Sequence, residues 1–322
     1  MRRSRRKNGN KSIILWGIVF IAGFMATGYA ILSEYIYIDA TVNVLTAEKY
    51  LWYNLQNKTT LSDSNEFESN RYESNKYSFV GQNPNNYIKL NNNELWRIVS
   101  IESDHTIKVV KWDSPITKAF DETDNRTESS TYCTDLENGC NAWTTKSLFE
   151  SGEISGSIDN NSTIANYLNI EYYNSLDSDF QKLIVERTFN IGPVEVGATY
   201  QQALMQEEEY SWRGKVGLLT LTEMLYPTSS NNITIGTAYQ NNYLLNHSGN
   251  NFIWTLTPVK NNSSQVWTIL NDKTQTGKNA NLETETIEQA NYEFKVLPTV
   301  YLKSTLKYVD GTGSIDSPFI VE

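Results

Sequence analysis

The chain has 322 residues, 39% hydrophobic and 12% aromatic, which is enough apolar mass for one large or two modest domains and excludes an ordinary disordered chain. Six of its 27 basic residues lie within the first eleven positions, so the rest carries 21 basic against 37 acidic residues, a net charge of −16. An acidic body repels phosphate backbones, so this composition argues against nucleic-acid binding.

Residues 12–32 (SIILWGIVFIAGFMATGYAIL) follow the basic head at 1–11 and contain no charged side chain. About 20 apolar residues suffice for a helix to cross a membrane, and basic residues stay on the cytoplasmic side. The segment therefore predicts either a single-pass transmembrane anchor or a signal peptide cleaved after Ala30. Both alternatives place the rest of the chain outside the membrane, as an extracellular domain of a membrane protein or as a secreted protein.

Residues 33–76 form the next predicted region, with a strand over 33–44 and a short helix capped by Thr46. From Asn57 to Lys76 the chain is rich in Ser, Asn, Glu and Thr, which is typical of a linker. We therefore expect residues 33–76 to be membrane-proximal and residues 77–322 to form the extracellular body.

The body opens with three apolar runs, YIKL, ELWRIVSI and TIKVVKW, that are spaced like strands. Asn91, Asn92 and Asn93 separate the first two, and Asn tolerates the left-handed backbone of tight turns. The pattern predicts a three-stranded antiparallel meander in which the asparagines form the turn.

The two cysteines, Cys133 and Cys140, bracket a predicted turn at Asn138-Gly139. This spacing suits a disulfide that closes a small loop in an oxidising exterior. A four-ligand zinc site has little support, since the only histidines are His105 and His247.

Helices are predicted in the middle of the body, over TIANYLNIEYYNSL and DSDFQKLIVERTF, with a strand that enters a helix in GKVGLLTLTEMLY. Strands return in FIWTLTPV, QVWTIL and FKVLPTVYLKS. The expected fold class is α+β: an N-terminal transmembrane helix followed by a mostly antiparallel sheet domain with two or three central helices.

The order of these segments resembles a family of uncharacterised membrane-anchored surface or secreted proteins of Gram-positive gut bacteria. The resemblance covers residues 77–322 and is carried by NPNNY, ELWRI, WTLTP and LPTVYLKS in that order. It implies location and architecture but no established molecular function.

A more distant resemblance, in the strand that enters Thr-x-x-Glu at 218–225 and the Trp-centred strand after it, is to C-type-lectin-like and formylglycine-generating-enzyme-like folds. The chain departs from the enzyme branch because it lacks the paired C-terminal cysteines and has Leu297-Pro298 where Arg-Pro is usual. The resemblance implies a lectin-like fold and carries over no catalytic residue.

Catalytic chemistry has little support in the sequence. Glu207-Glu208-Glu209 reads as a solvated face, and no nucleophile with a recognisable motif accompanies the two histidines. We expect no cofactor, although loop oxygens around 121–125 and 310–316 are of the kind that could hold calcium.

The remaining candidates for function are aromatic and amide residues of the last third. Trp254 and Trp267 lie in alternating strands and fit either a core or a binding surface, whereas the polar residues near them are expected to be exposed. The predicted ligand-binding residues are Trp254, Gln265, Trp267, Asn271, Lys273 and Tyr292.

The leading functional hypothesis is a non-catalytic, cell-surface-displayed module that binds a glycan or a protein through these residues. Two alternatives remain open at this point: a structural envelope or fibre component, and an enzyme that acts on the cell wall or on glycans.

Overall fold

A computed structural model gives the structure of the chain, and it divides into two compact units, Met1–Lys49 and Tyr50–Glu322. The described residues are 47–57, 66–122, 133, 137–144, 153–154, 161–228, 233, 235, 242–245, 251–272, 281–283 and 287–322. The strand expected over 33–44 lies outside them. Part of the expected linker belongs to the second unit, because residues 67–69 form a strand of its largest sheet.

The strands of the second unit are β1 Phe67–Ser69, β2 Tyr77–Phe79, β3 Tyr87–Leu90, β4 Glu94–Ile101, β5 Ile107–Val110, β6 Thr117–Ala119, β7 Glu153–Ile154, β8 Ile184–Val185, β9 Arg187–Asn190, β10 Ser211–Gly214, β11 Val216–Gly217, β12 Asn251–Pro258, β13 Gln265–Asp272, β14 Asn281–Glu283, β15 Ile287–Gln289, β16 Glu293–Lys295, β17 Thr299–Leu302, β18 Tyr308–Asp310 and β19 Ile320–Val321. The helices are Leu51–Asn57, Thr163–Asn166, the π-helix Tyr167–Tyr172, Tyr173–Ser175, Ser178–Leu183, Tyr200–Glu207 and Leu221–Leu225.

The predicted meander is confirmed and forms the centre of the largest sheet. β3 pairs with β4 and β4 with β5, both antiparallel. Asn91, Asn92 and Asn93 have φ values of 44°, 60° and 70°, the left-handed backbone that a tight turn needs and that Asn tolerates better than most residues. The asparagines therefore fold the hairpin.

The largest sheet runs in the order β1-β2-β4-β5-β17-β11, with β3 paired to β4 and β8 to β17. The pairing of β5 with β17 joins segments that are far apart in the sequence, and it places Tyr301 of β17 opposite Lys108 of β5. This long-range pairing positions the cavity described below.

A second large sheet has the order β14-β13-β12-β16-β6, with β15 paired to β13. Its centre is the long antiparallel hairpin of β12 and β13, and β16 joins β12 in parallel. The described residues also form two smaller sheets, β7-β10-β9 and β18-β19.

Side-chain caps set the start of four described helices, and one of them is Ser162, whose hydroxyl accepts from Ala165 N at the start of Thr163–Asn166. Asp177 caps the helix Ser178–Leu183, and full capping boxes begin the helices Tyr200–Glu207 and Leu221–Leu225. The second predicted helix is shorter than DSDFQKLIVERTF suggested, because β-branched Ile184 and Val185 turn extended and pair with β17. The helix Tyr200–Glu207 was not expected from the sequence.

A single large hydrophobic cluster spans both sheets and the helices between them. Its largest fully buried side chains include Trp96, Trp143 and Trp254. Aromatic residues of this size bury much apolar area each, so the high aromatic content of the chain is used mainly in this core.

The predicted fold class is wrong as stated. The body is α+β and mostly antiparallel, but it has two large sheets and more than three central helical segments among its described residues. No helix in that part of the chain is long and apolar enough to span a membrane. Residues 12–32, where such a helix was expected, lie outside the described residues.

Candidate functional site

A polar cavity of about 140 Å³ opens beside the largest sheet. Strands β2, β4, β5, β9 and β17 contribute to its wall, together with the two helices that begin with capping boxes and the chain around 70–76. Seven charged side chains line it among the described residues: Glu73, Lys76, Glu102, Lys108, Arg187, Glu207 and Glu223.

The ion pair of Lys108 and Glu223 links the sheet to a helix at the cavity wall. Lys108 is buried on β5, and its Nζ donates a hydrogen bond to Glu223 Oε1. The other carboxylate oxygen accepts from the backbone N–H of Thr220, 3.1 Å away, as part of the capping box. Burial raises the pKa of Glu223, but Lys108 and Lys76 outweigh that effect and lower it overall.

Lys76 is the second buried ammonium group of the cavity. Its Nζ lies 2.9 Å from Glu73 Oε2 and 3.5 Å from Glu102 Oε2, and the Ser100 hydroxyl donates to the other oxygen of Glu102 at 2.6 Å. Burial lowers the pKa of Lys76, but Glu102, Glu73 and Glu223 together outweigh burial and raise it. Both buried lysines are therefore paired with carboxylates.

Tyr301, on β17, is an aromatic residue of the cavity wall. The residue is 6% exposed and lines the cavity, and its ring lies 4.7 Å from Lys108 Nζ. Burial, followed by the charges of Glu102 and Glu223, raises its pKa well above the ordinary value. No described residue forms a hydrogen bond with this hydroxyl, so the group has both a donor and acceptor capacity to offer.

The rim of the cavity is open to solvent. Arg187 on β9 donates to Asp104 Oδ2 at 2.6 Å, and its side chain is 36% exposed. Glu73 is 35% exposed on the same measure. A ligand can therefore reach the buried groups past these two side chains.

Glu207 is fully buried at the C-terminal end of the helix Tyr200–Glu207. Its Oε1 accepts from the Thr222 N–H at 3.2 Å and from the Thr257 hydroxyl at 2.6 Å, and its Oε2 accepts from the Thr222 hydroxyl. Burial raises its pKa and these hydrogen bonds lower it, which leaves a value of about 7. Because both oxygens are engaged, Glu207 joins two helices to the second sheet.

The structure corrects the interpretation of Glu207-Glu208-Glu209 as one solvated face. Glu208 and Glu209 are exposed, but Glu207 shares the buried face with Tyr200 and Ala203. Tyr200, Ala203 and Glu207 are three and four residues apart, which is the spacing of one face of a helix. This spacing could have predicted from the sequence that Glu207 is buried.

The two tryptophans of the predicted binding site lie in the core. Trp254 is 1% exposed and donates its Nε1–H to Lys118 O at 2.9 Å. Trp267 is 3% exposed and donates to Val194 O at 3.0 Å. The sequence left open whether these tryptophans belong to the core or to a binding surface, and the structure places both in the core.

Of the four polar residues predicted beside them, three lie among the described residues. Gln265 is partly buried, and its side-chain oxygen accepts from Asn262 at 2.8 Å. Asn271 lies opposite Asn251 in the hairpin of β12 and β13, and Lys273 lies outside the described residues. Tyr292 is 49% exposed and meets Phe294 edge-on.

Cys133 and Cys140 form the disulfide that the sequence predicts, with Cα atoms 5.3 Å apart. Next to it, the carboxylate of Asp121 accepts from Cys140 N at 2.9 Å and from Thr163 N at 3.0 Å. This part of the expected calcium loop therefore anchors a helix and the disulfide loop. The described residues contain no cluster of three or more His, Cys, Asp or Glu side chains placed to hold a metal.

Sequence reasoning missed the cavity because its groups come from distant segments. A single polar residue in or beside a short apolar strand is ordinarily predicted to face solvent. Three residues of the cavity are of this kind: Lys76, Lys108 and Tyr301. The one local indication was Lys108, a charged residue within the otherwise apolar run IKVV. The structure buries this strand at all four positions. A lysine in such a strand needs an acidic partner, although the sequence does not say which.

A family model described as a domain of unknown function (DUF6273) matches residues 156–304 of the chain. No curated protein and no solved structure matches it. The matched stretch contains Arg187, Glu207, Glu223 and Tyr301, whereas Lys76 and Lys108 precede it. The resemblance to surface proteins of Gram-positive gut bacteria stays a prediction.

Proposed function

We propose that this protein is a non-catalytic binding module that works outside the cell, with the charged cavity as its ligand site. The observation that carries the proposal is a solvent-open cavity whose wall combines buried, paired charges with the hydroxyl of Tyr301, which forms no hydrogen bond with a described residue. Concave sites with a few convergent polar groups are the usual form of ligand sites. The expected ligand is a glycan or a protein group small enough to enter.

The disulfide between Cys133 and Cys140 supports the extracellular location. Disulfides persist in oxidising compartments and are rare in a reducing cytosol. The strongly acidic body is in keeping with a partner other than nucleic acid.

The buried carboxylates already have partners within the protein, and this supports a binding function rather than a catalytic one. Glu207 and Glu223 each have both oxygens hydrogen-bonded. Glu102 accepts from the Ser100 hydroxyl at one oxygen, and its other oxygen lies 3.5 Å from Lys76 Nζ. A general acid or base must reach the substrate with a free atom. Any of these three carboxylates would have to give up a structural partner to do so.

The test compares two tyrosine variants of the full-length chain on an array of glycans and extracellular proteins. Tyr301→Phe removes only the hydroxyl of a residue that lines the cavity. The loss of one hydrogen bond to the ligand, about 1 kcal/mol, weakens binding about fivefold. Tyr292→Phe is the matched control, because Tyr292 is exposed on the surface that the sequence first suggested.

Weaker binding by Tyr301→Phe alone supports the cavity as the site. Weaker binding by Tyr292→Phe alone places the site on the C-terminal surface and overturns this assignment. If the wild-type chain binds no member of the array, the binding function itself is wrong.

A further inference from the structure

The carboxylates that line the cavity outnumber its cations. Four glutamates are accompanied by two lysines and one arginine among the described lining residues: Glu73, Glu102, Glu207, Glu223, Lys76, Lys108 and Arg187. Arg187 is paired with Asp104, so it does not offset a glutamate of the lining. Four carboxylates therefore stand against two ammonium groups, and the cavity is net acidic.

Protonation of Glu207 does not change the sign of this charge. Burial raises the pKa of Glu207 to about 7, so the carboxyl group is partly neutral near that pH. With Glu207 counted as neutral, three carboxylates, those of Glu73, Glu102 and Glu223, still outnumber the two lysines. The net charge of the described lining therefore lies between −1 and −2, and a cation is the charged ligand that it favours.

The surplus negative charge is carried to the rim by Glu73. Lys76 Nζ lies 2.9 Å from Glu73 Oε2 and 3.5 Å from Glu102 Oε2, so one ammonium group is shared by two carboxylates. The other oxygen of Glu73 forms no hydrogen bond with a described residue, and the side chain is 35% exposed. A cationic group that enters from solvent can therefore pair with Glu73 without displacing either lysine.

Tyr301 is a second lining residue with unused hydrogen-bonding capacity. It is 6% exposed, and its hydroxyl forms no hydrogen bond with a described residue. The described residues do not seal this hydroxyl from solvent, so it meets the solvent of the cavity. A phenol oxygen can accept a hydrogen bond as well as donate one. Glu73 and Tyr301 thus offer one charged and one neutral acceptor to a ligand.

The size and the lining of the cavity suit a compact polar ligand. Its volume of about 140 Å³ is roughly ten times the space that a single water needs, which corresponds to a ligand of about the size of one sugar ring. Of its 22 described lining residues, five have wholly apolar side chains: Phe79, Val99, Phe189, Leu204 and Pro227. A wall so rich in hydroxyl, amide and charged groups favours a ligand body with hydroxyls over an aliphatic stem such as that of lysine.

We infer that the cavity binds the protonated amine of an amino sugar, free or at the end of a glycan. The inference rests on the proposed binding function and narrows its ligand class. The ammonium group offsets the surplus charge at Glu73 through a charged hydrogen bond, and the ring hydroxyls bind the polar wall. A neutral sugar leaves that charge in place and an acidic sugar adds to it, so both are poorer ligands.

Calorimetry and saturation-transfer NMR with the full-length chain compare ring-matched sugars at about pH 6, where such an amine is protonated. Glucosamine is the cationic probe, N-acetylglucosamine and glucose are the neutral ones, and glucuronate is the anionic one. Glucosamine is expected to bind about tenfold more tightly than N-acetylglucosamine, the gain from one charged hydrogen bond. Nα-acetyl-lysine methylamide tests whether an ammonium group on an aliphatic stem binds better.

A charge variant at the rim tests the cause. Glu73→Gln removes the surplus charge but leaves Lys76 with Glu102, so no buried ammonium group loses its last partner. The backbone N–H of Glu73 keeps its hydrogen bond to Asn70 Oδ1. This variant is expected to lose most of the tenfold preference for glucosamine over N-acetylglucosamine. Glu293→Gln is the matched control, because Glu293 is exposed on β16 and does not line the cavity.

Tightest binding of a neutral or acidic sugar would overturn the inference, and so would binding of none of the probes. Tighter binding of the lysine derivative than of glucosamine would overturn the assignment to an amino sugar. An equal preference in Glu73→Gln and Glu293→Gln would remove its cause. The array decides separately on the binding function: a chain that still binds a glycan or a protein there through Tyr301 keeps its site and loses only this ligand class.

Discussion

Replacing Glu207 by Gln should change how the stability of this protein depends on pH. The carboxyl group is 1% exposed, and its pKa of about 7 lies well above the ordinary value of 4.5. Burial causes the rise by disfavouring the charged form, although hydrogen bonds from Thr222 and Thr257 oppose it. Gln has the same shape and is neutral at every pH.

The sign follows from proton binding. Between pH 4.5 and about 7 the folded state holds a proton on Glu207 that the unfolded state has released, so stability falls as pH rises through this window. Each unit of pKa difference is worth about 1.36 kcal/mol, so the total loss is about 3 kcal/mol. Below pH 4.5 the contribution is fully present, and above pH 7 it is lost.

Urea unfolding of the full-length chain from pH 4 to pH 8 measures this effect. The free energy of unfolding of Glu207→Gln minus that of the wild-type chain should rise by about 3 kcal/mol across the series, mostly between pH 4.5 and 7. Taking the difference removes the contributions of the other titrating groups, which both chains share. Glu209→Gln is the control, because Glu209 is exposed and lies two residues farther along the chain.

A flat difference across the series would refute the reasoning, since it would mean that Glu207 titrates alike in the folded and unfolded states. A difference of the same size for Glu209→Gln would also refute it, because the effect would then come from net charge rather than from burial.

Two further predictions concern the disulfide loop. Replacing Cys133 and Cys140 together by Ser should lower the free energy of unfolding by roughly 2–3 kcal/mol, the chain entropy of so short a loop, and reductant should then have no further effect on its urea midpoint. Gly139→Ala should destabilise more than Gly81→Ala, with melting temperature as the measurement: both glycines have positive φ, but only at Gly139 would the new Cβ lie 2.0 Å from a backbone oxygen. Equal losses would contradict the second prediction.

Local features of the chain could be read from the sequence where neighbouring residues decide them. The turn at Asn91–Asn93 needs only residues that accept positive φ, and the capping box of Thr220 and Glu223 is set by their spacing. The disulfide between Cys133 and Cys140 also follows from proximity along the chain.

Other features were ambiguous because more than one environment satisfies the same pattern. Trp254 and Trp267 alternate with smaller residues in their strands, and alternation alone does not say whether a face meets core or solvent. Trp254 lies opposite Thr268 and therefore on the other face of the hairpin from Trp267. Both are buried because both faces are covered: residues 253–259 and 266–269 are buried at every position.

The sequence by itself determined an acidic, aromatic-rich chain with an antiparallel meander, capped helices and a short disulfide loop, because these depend on composition and near neighbours. Only the tertiary structure decided the cavity. Lys76, Lys108, Glu223 and Tyr301 meet because β17 returns to pair with β5, and a helix then presents a carboxylate to the sheet. Contacts between such distant segments depend on how whole elements pack, which no local pattern records.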